Sequence, residues 1–283
     1  MFERFERSWD LANACAGLLR EDKSLLIFPL LSSIAMVLIV ASFAVPLYPL
    51  VTLMSVQGYV HTLDSLVYVG LIVFYLIQFT IVTFFNTALV EVAMDRLDGG
   101  DATTADGLRR AWARFPTIVA YSAIAASVGT VLRLIGERVG FIGKIVIGLI
   151  GLVWAVATAL VVPVLAAEDV GPIEAVQRSV ELIKRSWGED LIGNAGIGLA
   201  FGVVMAVVAF CGGLLFLAAV SVHSASFAVL VLAILVVTLC ATALAQATLS
   251  GLYSAALYRY AAGETKTGDI DPGLLESAFR ARD

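Results

Sequence analysis

The sequence predicts an all-α, polytopic membrane protein, and three observations lead there. Hydrophobic residues make up 60% of the 283 and charged residues 14%, with a mean hydropathy of +0.95. A soluble domain holds about 45–50% and about 25% respectively, and the excess apolar surface has no place in one water-soluble core. The apolar residues fall into six runs, each long enough for the ~20 residues that cross a bilayer. Lysine and arginine are distributed unevenly between the connections that separate those runs. The composition also excludes a disordered chain, a collagenous chain and a disulfide scaffold, and a net charge of −5 disfavours nucleic acid as a partner.

Taken in chain order, the spans are expected near residues 25–45, 66–93, 117–135, 145–167, 191–221 and 227–256. A charged segment precedes the first run, and that run is too long for a signal-peptide core, so it reads as a permanent first helix. The third is the shortest, with Arg133 close to its end. Residues 1–260 read as a single membrane domain and 261–283 as a short tail. Fifteen of the eighteen basic residues lie in the N-terminal segment, the second-to-third and fourth-to-fifth connections and the tail; Arg133, Arg138 and Lys144 lie on the other side. The positive-inside rule then places both termini in the cytoplasm of a prokaryotic plasma membrane.

Three of the basic segments carry amphipathic helical patterns. Phe2, Phe5, Trp9, Ala12, Ala16 and Leu19 recur at alternating spacings of 3 and 4, opposite Glu3, Arg4, Glu6, Arg7 and Asp10. In the second segment, Thr103 and Asp106 have the spacing of a capping box. Leu108, Ala111, Trp112 and Phe115 follow as an apolar stripe opposed by Arg109, Arg110 and Arg114. In the third, Pro172 suits the first helical position. Ile173, Val176, Val180, Ile183 and Trp187 then form the stripe, with Glu174–Arg178 and Glu181–Arg185 spaced as i, i+4 ion pairs and Lys184 beside them. An indole on the apolar face and arginines on the polar one describe a helix in the headgroup plane. The expected partners are membrane lipids with anionic headgroups, or a protein or a second copy docking on the same helices. The order of interfacial helix, span out and span back occurs three times and would make three parallel repeats.

Chemistry is sparse. Cys15, Cys211 and Cys240 are isolated, and His61 and His223 share no ligand spacing, so neither a disulfide framework nor a metal site is expected. Gly136 to Lys144 is glycine-rich but lacks the Walker spacing, and Ile145 stands where Ser or Thr is required. No zinc-protease or nucleophile-elbow motif occurs, and no predicted span contains an aspartate. Neither a cofactor nor an enzymatic activity is expected. The polar feature inside the spans is on the second: Thr80, Thr83, Thr87 and Glu91 share one face, flanked by Asn86, with Gln246 on the sixth as a hydrogen-bonding counterpart. Glu91 and Asn86 should face protein rather than lipid. The expected partner of Glu91 is Arg96 nearby, or Arg178 or Arg185 from the third basic helix. Gly198 and Gly202 form a GxxxG pair that permits close helix approach within the chain.

Several stretches together carry a family likeness: Phe5-Glu6-Arg7-Ser8-Trp9, Asp22 to Pro29, Phe84-Phe85-Asn86-Thr87-Ala88-Leu89, Val161-Val162-Pro163-Val164, Glu168 to Ala175, Arg178-Ser179, Leu257 to Ala261 and Ala278-Phe279-Arg280. Through them the whole chain resembles a prokaryotic family of six-helix integral membrane proteins of unknown function. It is more distantly similar to the membrane domain attached to some glycerophosphodiester phosphodiesterases. The soluble catalytic domain of those enzymes is not among these residues, so the resemblance implies a fold and no activity. The function expected on these grounds is a membrane scaffold or accessory subunit binding lipid or proteins through the basic helices. The alternative is a transporter or channel using the polar stripe of the second span.

Overall fold

Long apolar runs fold as helices in the computed structural model, which describes residues 17, 19, 23–57, 64–185, 189–221 and 225–262. A 3-10 turn at Lys23–Leu26 precedes α1 (Ile27–Gln57), α2 (Asp64–Leu97), α3 (Thr104–Ala113), α4 (Phe115–Arg138), α5 (Phe141–Ala157), α6 (Val161–Ala167), α7 (Pro172–Arg185), α8 (Glu189–Ser221) and α9 (Ala225–Ala262). The described residues contain no strand. Six stretches are long and apolar enough to cross a membrane: Lys23–Val45, Ile72–Leu97, Phe115–Arg138, Phe141–Ala167, Ile197–Ser221 and Ser226–Ala262. The protein is a multi-pass membrane protein of the all-α class. Trp9, Trp187 and most of the first amphipathic stripe lie outside the described residues, as do residues 263–283.

The chain divides into two compact units. In the first, which holds residues 1–26, 93–101 and 185–283, α8 packs along α9, and α9 also meets the turn at Lys23–Leu26. The two helices approach closely at Gly212, where an added Cβ would lie 2.3 Å from Leu235 Cδ1. Among the described residues no neighbouring element comes within 4 Å of a Cβ built on Gly198 or Gly202, and the close approach of α8 lies at Gly212. The thirty-eight residues of α9 extend about 57 Å, well beyond the ~30 Å hydrocarbon thickness. Its burial follows that length: Leu252, Tyr253, Ala255, Ala256, Leu257 and Tyr258 are buried, whereas Val229, Leu230, Val236 and Val237 are exposed. The end of α2 closes in a Schellman turn, with Gly99 at φ 77°. There Gly100 N–H donates to Asp95 C=O and Gly99 N–H to Arg96 C=O, and glycine adopts the left-handed conformation without a Cβ penalty. Arg259 pairs with Asp98, and Arg96 with Asp101.

The second unit holds residues 27–92 and 102–184. Its core is gathered at one end, where the start of α1, the last turns of α2, the last turn of α3 and the first turn of α4 supply Phe28, Ala88, Leu89, Val90, Val92, Ala111 and Ile118. The same core takes in Leu160, Val161, Val164 and Leu165 around α6, and Ala175 and Leu182 of α7. Farther along, α1 and α2 touch through Phe43 and Phe74, 5.1 Å between ring centroids. Most large apolar side chains there are exposed, as expected where lipid is the solvent. Arg133 reaches Tyr75 Oη and Glu137 on an exposed surface.

The fourth span is not one helix. The sequence reads as continuous over 145–167 and shows no sign of a broken helix, but α5 stops at Ala157 and α6 starts at Val161. Thr158 and Leu160 have ψ near zero, and the ladder tightens to i→i−3 bonds from Ala159 N–H to Val156 C=O and from Val161 N–H to Thr158 C=O. Pro163 stands in the first turn of α6, where its missing N–H leaves no gap. The Leu160 N–H freed by the break donates to Ser179 Oγ of α7, 3.1 Å away. A backbone donor left unmatched in an apolar setting costs several kcal/mol in order-of-magnitude terms, about 2–7.

Candidate functional site

The polar face of α2 ends in a buried carboxylate. Thr83, Thr87 and Glu91 are buried, and Asn86 and Thr80 are half-buried. The stripe faces protein at Thr83, Thr87 and Glu91. Its hydroxyls serve their own helix: Thr80 donates to Leu76 C=O and Thr87 to Thr83 C=O, each at 2.8 Å. On α9, Thr238 and Thr242 do the same, and Gln246 is half-buried.

Glu91 meets two arginines from the α3–α4 segment. Arg114 Nε lies 3.5 Å from Oε1 and Arg110 Nη1 3.9 Å from Oε2. Arg96 also pairs with Asp101, and Arg178 joins Glu168 and Glu181. Arg114 does more than neutralise Glu91. Its Nη1 donates to the carbonyls of Leu165, at 2.7 Å, and Glu168, the final carbonyls of α6. A guanidinium at a helix C-terminus satisfies groups that have no partner within the helix and opposes the negative end of its dipole. Glu168 in turn accepts from Arg178 Nε at 3.1 Å, and that bond and charge hold the Arg178 guanidinium above its ordinary pKa. One connected set of charges thus joins α2, the α3–α4 junction, the end of α6 and α7.

The local sequence explains how α3 and α7 reach this place. Thr103 caps α3 as expected: Asp106 N–H donates to its hydroxyl, and the Asp106 carboxylate accepts from that hydroxyl at 2.6 Å and from Thr103 N–H at 3.1 Å. These bonds hold the Asp106 carboxyl below its usual pKa, with Arg109 and Arg110 adding to the effect. Gly107 then lets α3 lie against α2. A Cβ there would stand 2.8 Å from Ala88 O and 2.5 Å from Val92 Cγ2, so only glycine fits without movement. On α7 the buried residues are Ala175, Ser179, Leu182 and Ile183. The apolar stripe read from the sequence runs along a neighbouring face, joined to the buried one at Ile183. Ile173 on that stripe is 65% exposed, and Val176 and Val180 are half-buried.

Trp112 is also 65% exposed. It stacks on Phe115, 4.9 Å between centroids and 19° between planes, and meets the edge of Phe84 at 6.1 Å. Together with Ile77, Thr80 and Ile81 of α2 and Val119 of α4, these rings line a groove of about 330 Å³, which sequence reasoning missed because its walls come from three helices. Arg109, one turn before Trp112, is 79% exposed at its side chain and pairs with Asp106 at 3.0 Å. Lys184 is exposed, and the side chains of Arg185 and Trp187 lie outside the described residues. Among the described residues no group of His, Cys, Asp and Glu has the arrangement to hold a metal ion.

The profile of a family of unknown function, DUF6159, matches residues 65–269. The chain belongs to that family. The match runs from the start of α2 past the end of α9 and so takes in Glu91, Arg114, Glu168, Ser179 and the groove. No curated protein and no solved structure matches the chain, and the family brings a fold-length likeness without an assigned activity.

Proposed function

We propose that this member of the family is a non-enzymatic scaffold or accessory subunit of a prokaryotic plasma membrane. In this reading both termini are cytoplasmic, and the protein engages anionic lipid headgroups and partner proteins through its basic helices. The observation that carries this reading is that α3 and α7 each keep an apolar surface beyond the face packed in the protein. Trp112 and Ile173 are both 65% exposed, with the cation of Arg109 one turn before Trp112 and that of Lys184 about three turns beyond Ile173 on the same helix. An amphipathic surface of this kind, outside the spans and on the basic side, suits the lipid interface or a docking protein. The hydroxyls of Thr80 and Thr87 and the charge of Glu91 are engaged within the second unit, which favours a structural stripe over a permeation path.

The test leaves Arg114 in place and replaces Arg109 and Arg110 by glutamine. Each basic residue near an anionic leaflet contributes about 1 kcal/mol, and Asp106 offsets part of it, so retention of phosphatidylglycerol by the purified chain should fall about tenfold. Native mass spectrometry reads the occupancy; equal occupancy in the variant and the parent would count against the proposal.

A further inference from the structure

We infer that the groove between α2, α3 and α4 holds one acyl chain of an anionic phospholipid whose headgroup sits at Arg109. The inference rests on the lipid-binding reading above and assigns it a site. Three observations carry it. First, the groove is apolar: its polar side chain, Thr80, donates its hydroxyl to Leu76 C=O, so a polar solute would find nothing there to replace its hydration. Second, its walls on α2 and α4 belong to stretches long and apolar enough to cross a membrane, so hydrocarbon is what reaches it. Its volume of about 330 Å³ is at the small end of ligand sites, about 300–1,000 Å³, and suits one chain rather than a whole two-chain lipid. Third, the groove is flanked at Trp112 and Phe115 by stacked rings suited to headgroup depth. One helical turn from Trp112, the guanidinium of Arg109 is 79% exposed, and it complements a phosphate rather than a zwitterion's cation.

The experiment uses the full chain with Trp9, Trp154 and Trp187 replaced by phenylalanine, so that Trp112 alone fluoresces. The probe is phosphatidylglycerol or phosphatidylcholine brominated on one acyl chain, titrated into protein in nanodiscs. Quenching of Trp112 should saturate at a low mole fraction of the brominated phosphatidylglycerol and need at least about fivefold more of the phosphatidylcholine, a ratio that about 1 kcal/mol at one cation would produce. Filling the groove with I77F/I81F should remove the saturable part. R109Q should move the phosphatidylglycerol curve onto the phosphatidylcholine one.

Quenching that rises linearly with bulk mole fraction and ignores I77F/I81F would overturn the inference, as would equal saturation by both lipids. Absence of quenching would overturn it too. Should the three-phenylalanine background fail to fold, native mass spectrometry of the parent chain against I77F/I81F and R109Q supplies the same comparison. Phosphatidylglycerol lost in R109Q but kept in I77F/I81F would overturn the groove and leave the broader lipid reading standing. Loss in neither would end both.

Discussion

The two helices that make up residues 141–167 differ in what they touch. None of the seventeen residues of α5 is buried, whereas five of the seven of α6 are: Val161, Pro163, Val164, Leu165 and Ala166. Apart from Lys144 in the first turn of α5, both are apolar, so composition alone does not separate them. The difference lies in what closes each end. Arg114 holds the last carbonyls of α6, and Ser179 takes the amide at its start. The helix is fixed at both termini by polar groups from other parts of the chain, whereas at the end of α5 the Thr158 hydroxyl donates to Trp154 C=O of its own helix. In lipid, where apolar burial drives little association, such polar fastenings and close packing decide which part of a span becomes core.

That contrast can be broken most severely at Arg114. Arg114→Gln strips the buried Glu91 of its nearer cation and α6 of its cap. It should destabilise the protein by about 3 kcal/mol, the lower end for removing one partner of a buried pair, because Arg114 itself remains 27% exposed at its side chain. A large loss of melting temperature in detergent would register it, and an unchanged melting temperature would show that the charges are not holding α6. A sharper comparison pairs Leu165→Ala with Leu149→Ala. Leu165 is buried and should cost about 2 kcal/mol through lost packing. Leu149 on α5 is exposed and should cost under about 0.5 kcal/mol. Equal effects would remove the distinction between the two helices. Among the polar fastenings the smaller expected change is at Ser179. Ser179→Ala should cost about 1–2 kcal/mol by leaving Leu160 N–H without its acceptor, while Ser179→Thr should recover most of it. Accelerated amide exchange at Leu160 in the alanine variant is the direct readout.

The six spans were legible because each is a run of apolar residues of bilayer length; the expected 117–135, for example, falls within Phe115–Arg138. The capping box at Thr103 and Asp106 was legible too, since its partners are three residues apart. The break at Thr158–Leu160 was not, for it contains neither glycine nor proline; Pro163, three residues beyond, was the available signal. The inward face of Glu91 followed from the expense of a carboxylate in hydrocarbon. Its partner did not, because Arg114 comes from another segment and spacing rules reach only about four residues. The packed face of α7 escaped for a different reason. Ala175 and Ser179 are small and one is polar, so hydropathy points to Ile173 and Val180 instead. Close packing selects small side chains, and that is a property of the neighbour as much as of the helix.

The break also bears on how the protein meets bilayers of different thickness. The seventeen residues of α5 extend about 25 Å, a few ångströms less than an average hydrocarbon layer of about 30 Å. A rigid span answers such mismatch by tilting as a whole, which would drag its packed end out of register. A joint at 158–160 would let α5 change its angle while α6 stays seated. The basic end of the second unit would then be insulated from membrane thickness, and one arrangement would serve in thin and thick bilayers.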